Sequence, residues 1–252
     1  MNIEKRYFQN PPNHQIIDID DPSTWPCSIK DRVNQWAEKY RGSTSYASDL
    51  PIPLELESEF REHLGDHLLR AYHCTRLLSH EVRMIKANGL KTLNTDLIQD
   101  RIQAAQEANE ISEEEAQLIS QSNVFFTGEQ DHRENQVCLI LSKTVFQNHP
   151  SGCEPLLANW GGEGIYNTSS SKLLTDRLRS LGKPAIVVAL ISPNQPLHAF
   201  PSLHKVFVGA ALGFNDVGAD IFYQANIPPN HIEQVLQPGD HSYRSLGQLP
   251  QC

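Results

Sequence analysis

Segments with helical periodicity crowd the first half of this chain, whereas runs of β-branched and aromatic residues crowd the second half. Helical spacing, a capping residue or a glycine stop marks LELESEFREHLGDHLL, SHEVRMIKANGL, Thr95 to Ala108 and the segment that opens at Ser112 with Glu115. Only LLRAYHCTRL interrupts them as a strand. Strand-like runs then include SNVFFTG, QVCLILSK, AIVVALISP, HKVFVGAAL and ADIFYQANI. Because regular βα alternation is missing, this order predicts an α+β fold.

Two more helices are expected in the second half, in SSSKLLTDRLRSLGKP and PPNHIEQVLQPG, since each is bounded by Pro or Gly. Residues 1–50 are rich in Asn, Asp, Pro and Ser and offer turns and at best a short helix from Ile29 to Tyr40. We therefore expect an irregular lead-in over residues 1–50 and one α+β domain over residues 51–252. At 252 residues, such a chain buries enough surface to fold without a metal or a crosslink.

The charge and the cysteine content of the chain limit its expected binding partners and its expected compartment. The chain has 21 Lys and Arg against 30 Asp and Glu, a net charge of −9, which on average repels nucleic acid and anionic membranes. The amino-terminal stretch has no apolar signal-peptide core, and the longest apolar run, Ala185 to Ile191, is too short to span a bilayer. The 5 cysteines show no CxxC spacing and suit a reducing compartment. We expect a cytoplasmic protein without a membrane partner, and we give the cysteines no catalytic role.

The first candidate for chemistry is the end of the early predicted strand. His73 and Thr75 are two residues apart in YHCTR, and side chains two apart on a strand share one face. The imidazole and the hydroxyl would therefore point together into a groove. The structural alternative is a hydrogen-bonded, half-buried histidine beside a threonine that favours strands.

The second candidate is the glycine-rich segment WGGEGIY, residues 160–166. Three glycines in four positions let the backbone approach a ligand closely or adopt positive φ. The aromatic residues Trp160 and Tyr166 at its ends offer flat surfaces for a planar ring. The structural alternative is a turn between two elements, with Trp160 as a core anchor.

A third segment, DIFYQANIPP, is a late predicted strand on which Asp220, Phe222 and Gln224 share a face. In this order, HCTR with IKANGL, then GEGIY, then NIPPNHI resemble the ADP-ribosyltransferase superfamily, in the branch built on His, Tyr and a variable third residue. The chain also resembles uncharacterised bacterial proteins that carry HCTR and WGGExxY. The superfamily resemblance spans about residues 70 to 236 and implies a split, mixed or antiparallel β core with helices inserted after the first core strand.

The resemblance also implies roles for individual residues. NAD is the expected substrate, with His73 and Thr75 on its adenosine-side ribose and Tyr166, delivered by a middle strand, stacked on nicotinamide. Gly162 and Gly164 would approach the ligand, and Arg76 or Arg133 would contact the pyrophosphate. The family's late-strand Glu is missing, because Asp220 or Gln224 stands in the plausible place. Glu163 and the loop holding Arg133 are alternative sources of the catalytic charge.

The expected reaction follows from that substrate. Cleavage of the bond between nicotinamide and ribose passes through a cationic, oxocarbenium-like state, which a nearby carboxylate stabilises. The resemblance implies mono-ADP-ribosyl transfer to a protein, RNA or DNA acceptor, with NAD hydrolysis as a near neighbour. Likeness to toxin and phage-defence transferases implies a bacterial setting and a possible neutralising antitoxin.

Two other function classes remain open. His63 and His67 are four apart on an expected helix, with His73 close behind, which is a spacing that metal ligands use. Gly65 weakens that helix, however, and the segment lacks the HExxH base of metal hydrolases. If all the motifs are structural, the protein is a non-catalytic α+β binding module.

Overall fold

The structure, a computed structural model, describes residues 15–128, 134–148, 150–166, 172–214, 218–247 and 249. The strands are β1 (Ile16–Ile17), β2 (Leu68–Leu77), β3 (Val137–Ile140), β4 (Lys183–Ile191), β5 (Leu197–Phe200), β6 (Asp220–Tyr223) and β7 (Ile232–Leu236). The helices are α1 (Cys27–Tyr40), α2 (Leu56–Leu64), α3 (Ser79–Asn88), α4 (Thr95–Glu107), α5 (Glu113–Gln121), α6 (Val124–Thr127), α7 (Thr144–Asn148), α8 (Pro150–Ala158), α9 (Glu163–Tyr166), α10 (Lys172–Ser180), α11 (Leu203–Leu212) and α12 (His241–Ser245).

In the part of the chain that the structure describes, seven strands form one sheet in the order β5-β6-β3-β2-β4-β7, with β1 beside β2. The β1–β2 pair is parallel and the other neighbours are antiparallel. Helices α3 to α6 lie in the chain between β2 and β3. The expected α+β class is confirmed, and helices follow the first long core strand as expected.

Alternation along β2 and β4 sends side chains to two different cores. Leu69 and Ala71 join a main cluster that packs under α1, α2 and α11. Tyr72 and Cys74 face the opposite side, where they meet Phe146 of α7 and residues of α8. A third cluster belongs to the helices themselves and is built on α4, α5, α10 and the buried Trp160.

The expected boundary at residue 50 does not follow this packing. Ile17 sits in β1 and pairs with Leu69, and α1 buries Ile29, Val33 and Trp36 in the main cluster. Asp18 and Arg70 form an ion pair that joins the same segment to β2 at 2.8 Å. The described part of the lead-in is therefore integral to the domain, because its apolar helix face supplies core; residues 1–14 lie outside the described chain.

Four expected elements differ from the structure. HKVFVGAAL forms helix α11, which is apolar and buried around most of its circumference and so shows no helical periodicity. SNVFFTG forms helix α6, which the Asn123 side chain caps through two backbone N–H groups. IEQVL forms strand β7, because it completes the ladder beside β4. GEGIY forms helix α9 rather than a middle strand.

Candidate functional site

The two edges of β2 are paired unequally. Within the described chain, β4 matches it at nine positions, from Leu69 opposite Ile191 to Leu77 opposite Lys183. On the other edge, Tyr72 opposite Ile140 is the one register pair with β3 among the described residues. Beyond it the strands part, and we call the space between residues 73–77 of β2 and residues 137–139 of β3 the gap. Alternate residues of an antiparallel strand direct N–H and C=O groups to the same side, so this edge offers backbone hydrogen bonds to whatever fills the gap.

His73 bridges the gap with its side chain. Its Nδ1 lies 2.8 Å from the carbonyl oxygen of Cys138 on β3. Because a carbonyl only accepts, Nδ1 carries the proton and donates, which leaves Nε2 of the neutral ring as an acceptor. Removal from water lowers the pKa of His73, the Arg101 charge lowers it further, and the bond to Cys138 only partly offsets these effects. The ring is therefore neutral near pH 7.

A first cavity of about 260 Å³ opens beside His73. The β2 wall supplies His73 and Thr75, which share a face as the sequence predicted. Opposite walls come from α3 and α4 and from the glycine turn, residues 161–164. Gly162 and Gly164 therefore border the same space as His73, as the proposed ligand geometry requires.

The glycine turn is shaped by backbone conformation. Gly161 and Gly162 have φ of +94° and +64°, in the region that favours glycine, and a Cβ on Gly161 would lie 2.5 Å from Cδ1 of Ile165. The turn reverses the chain, and the N–H of Ile165 donates to the carbonyl of Gly162 at 3.0 Å as α9 begins. This conformation is why a strand through GEGIY is wrong. Tyr166 ends α9, and its side chain lies outside the described structure.

A backbone bridge closes another wall and explains two of the sequence motifs. Leu90 and Ile227 exchange two N–H to C=O hydrogen bonds, of 2.9 and 2.8 Å, and Gly89 and Leu90 line the first cavity. A Cβ on Gly89 would lie 1.8 Å from the carbonyl oxygen of Ile227, so only glycine fits there. The Gly-Leu step and the NIPPNHI segment are thus halves of a single contact.

A second cavity of about 280 Å³ adjoins the first. Both cavities are bordered by Cys74, Cys138, Leu156 and Glu163. Asp220 of β6 is exposed and lines the second cavity but not the first. Glu163 therefore lies at the boundary between the two spaces, whereas Asp220 belongs to one.

Two buried thiols lie in the wall of the second cavity. Cys74 of β2 donates a hydrogen bond to Cys153 of α8, which raises the pKa of Cys74 and lowers that of Cys153. Burial raises the pKa of Cys74 further. Both side chains are nearly inaccessible and pack within the cluster on that face of the sheet, consistent with a structural role.

Arg76 does not fit the role given to it. It lies on the opposite face of β2 from His73, where Nε donates to the carbonyl of Leu181 at 2.6 Å and Nη1 to that of Leu157 at 3.3 Å. It is buried there and is not among the residues around either cavity. We therefore remove Arg76 from the ligand-binding set; Arg133 lies outside the described residues.

Among the described residues, Arg101 of α4 is the arginine that lines the first cavity, and the sequence prediction missed it. Its Nε donates to Oε1 of Glu81 at 2.6 Å, and its guanidinium carbon lies 5.2 Å from the centre of the Trp160 ring. The available signal was a charged residue between Ile98 and Ile102 of the buried helix face. Which way that face turns depends on tertiary packing.

The histidines whose spacing matches that of metal ligands do not form a site among the described residues. His63 is half-exposed on α2, 3.8 Å from Glu59, whereas His73 faces the first cavity. Among the described residues, no group of three or more His, Cys, Asp or Glu side chains is arranged to hold a metal ion. None of the described helices has the length and apolar character that crossing a membrane requires.

Comparison of the chain with family models, curated proteins and solved structures returns no match. The function of the chain is therefore inferred from the gap, the two cavities and the residues around them. His73, Thr75, Gly162, Gly164 and Glu163 all border the first cavity.

Proposed function

We propose that the protein binds NAD in the gap and transfers its ADP-ribose group to a macromolecular acceptor. One observation carries the proposal: His73 on one strand and the glycine turn, residues 161–164, border a single cavity where the sheet separates. The neutral His73 ring offers Nε2 to a ribose hydroxyl, and Thr75 beside it adds a second polar group.

The dimensions of the site favour a ligand with two parts. The cavities, of about 260 and 280 Å³, each fall just below the range of about 300 to 1,000 Å³ that is usual for ligand pockets. They adjoin at Glu163, so a ligand that extends from one into the other would bring its middle past that carboxylate. NAD, with two nucleoside halves joined by a diphosphate, has this form.

The chemistry assigned to the site is cleavage of the bond between C1′ of ribose and the nicotinamide nitrogen. The bonding electrons leave with nicotinamide, which departs neutral, while positive charge develops on the ribose. A carboxylate at the boundary stabilises that charge, and an acceptor O–H or N–H attacks C1′ and transfers its proton to that carboxylate, which passes it to water. We assign the carboxylate to Glu163 first, because it borders both cavities, and to Asp220 second.

A direct assay tests the proposal. The protein is incubated with NAD labelled in its adenylate half and with cell lysate, and we expect nicotinamide release and transfer of the label to macromolecules. Protease and nuclease treatment of the product then identifies a protein or a nucleic acid as the acceptor. A bacterial toxin or defence role, with a neutralising partner, stays a prediction of the resemblance.

Three variants and one control variant sharpen the assay. His73→Leu should lose NAD binding, whereas His241→Leu, at an exposed histidine of α12, should retain it. Glu163→Gln should bind NAD but release no nicotinamide, and Asp220→Asn tests the second carboxylate in the same way. A correctly folded wild-type protein that neither binds NAD nor releases nicotinamide would contradict the proposal and favour a non-catalytic binding module.

A further inference from the structure

The guanidinium of Arg101 is incompletely satisfied. Its Nε is bonded to Glu81, but Nη2 is buried and has no hydrogen-bond partner among the described residues. Buried donors in folded proteins are nearly always paired, and an unpaired one calls for an explanation. An arginine that also lines a cavity suggests that a ligand completes its bonding.

Glu81 does not supply the missing acceptor. Its Oε2 already accepts from the backbone N–H of Leu78 at 2.7 Å and from the indole N–H of Trp160 at 2.8 Å, while Oε1 holds Nε of Arg101. Glu81 therefore accepts three hydrogen bonds, and Nη2 of Arg101 is not among their donors. Glu81 and the ring of Trp160 instead fix the guanidinium in place.

A neighbouring side chain also has a buried nitrogen without a hydrogen-bond partner. His80 of α3 lines the first cavity, and its Nε2 is also buried without a hydrogen-bond partner. Lys91 stands at the cavity as an exposed cation, 3.9 Å from Asp100. The acidic groups facing this space are Asp100, which Lys91 offsets, Glu163, and Glu81, which Arg101 offsets.

We propose that Arg101, with His80 beside it, binds the diphosphate of a nucleotide ligand in the first cavity. The planar guanidinium fork matches two oxygens of a phosphate, and His73 at the same cavity offers an acceptor to the attached sugar. The inference deepens the proposed function by assigning the anion-binding residue, yet it requires only nucleotide binding. Arg101 therefore takes the role first given to Arg76 or Arg133.

Calorimetric titration with ADP and with adenosine tests this assignment. Arg101→Lys keeps a positive charge for Glu81 but loses the fork, and Arg101→Gln loses both. We expect either change to weaken ADP binding by about 10- to 100-fold, the usual value of one or two charge-assisted hydrogen bonds, and to leave adenosine binding unchanged. Arg179→Lys, at an exposed arginine of α10, is the matched control and should bind both ligands like the wild type.

A chemical measurement on the wild-type protein covers the case in which both variants unfold. Phenylglyoxal modifies accessible arginines, and peptide mapping locates the modified sites. ADP and inorganic pyrophosphate should protect Arg101 from modification, whereas adenosine should not. Equal modification of Arg101 with and without ADP would overturn the inference.

The two proposals fail separately. If NAD is not turned over but ADP binds in an Arg101-dependent manner, the transferase proposal fails and the diphosphate site stands. If NAD is turned over and Arg101→Lys binds ADP as tightly as the wild type, the diphosphate site is wrong and the transferase proposal stands. Failure of the wild type to bind ADP or pyrophosphate also rejects the diphosphate site.

Discussion

The two edges of β2 differ in their pairing: the edge toward β4 is paired along its length, and the edge toward β3 is largely unpaired with that strand. Toward β4, the ladder is continuous, and Val187, Ala189 and Ile191 fill the main core with no polar side chain among them. Toward β3, the ladder breaks after Tyr72, and His73 reaches across the space with a side-chain hydrogen bond. The same residue thus pairs with Val187 through its backbone and with Cys138 through its ring.

This difference shows how a sheet can be firmly paired on one edge of a strand and still open a cavity beside the other edge. We call the edge of β2 toward β4 the closed edge and the edge toward β3 the open edge. Backbone pairing on the closed edge fixes the position of β2, because each ladder pair limits its register. The open edge can then lack backbone pairing and expose polar groups, because the register of β2 is already fixed by β4. The predictions below perturb the closed edge first and the open edge afterwards.

Val187→Asp should give the largest effect. Val187 is fully buried in the main cluster, so the new carboxylate would be removed from water among apolar side chains. We expect the free energy of unfolding to fall by at least about 4 kcal/mol, measured by urea denaturation. Gln234→Asp, at an exposed position of β7, introduces the same group and should change it by less than about 0.5 kcal/mol. Similar losses of unfolding free energy in the two variants would show that residue 187 of β4 does not lie in a hydrophobic core.

Lowering the pH should give an intermediate effect through the open edge. The pKa of His73 is lowered in the folded protein from an ordinary value of 6.5, so the unfolded chain takes up the proton first as the pH falls. Stability is therefore retained above pH 6.5 and lost below it, by no more than about 2 kcal/mol at pH 5.

His73→Asn removes this contribution, so its unfolding free energy should depend less on pH than that of the wild type. Urea denaturation at about pH 7.5 and about pH 5 measures the difference. The exposed control His241→Asn should follow the wild type. Identical pH dependence in the wild type and His73→Asn would mean that His73 titrates alike in the folded and unfolded states.

Gly162→Ala should give the smallest effect. The φ of +64° disfavours any residue with a Cβ, but no heavy atom lies within 4 Å of the added methyl group. We expect a loss of about 1 kcal/mol, seen as a fall in Tm of about 2 to 4 °C. Gly161→Ala has the same kind of φ and also collides with Ile165, so its Tm should fall further. Equal Tm values for the two variants would contradict the described turn.

Local signals predicted much of the fold. Strand β2 and helices α3, α4 and α5 were expected nearly where they lie, because alternation, the capping box of Ser112 with Glu115, and the stop at Gly89 all act within a few residues. Helix α11 was expected as a strand and strand β7 as part of a helix. Both expectations were wrong because these identities depend on burial and on pairing with distant elements. No local pattern reports such contacts.

The candidate site divides in the same way. The shared face of His73 and Thr75 follows from alternation along one strand and was predicted. Neither Glu81 nor Arg101 was identified, because their pairing joins two helices and is completed by Trp160 from a third segment. Arg76 was misplaced because the resemblance was followed against alternation, which puts residue 76 on the opposite face of β2 from His73 and Thr75.

The bridge between Leu90 and Ile227 also governs when the site can exist. Its halves are far apart in the chain, and translation delivers the first long before the second. A nascent chain in which translation has not yet reached Ile227 lacks the segment that pairs with Leu90. The wall of the first cavity can therefore be complete only after Ile227 has been synthesised and has paired with Leu90.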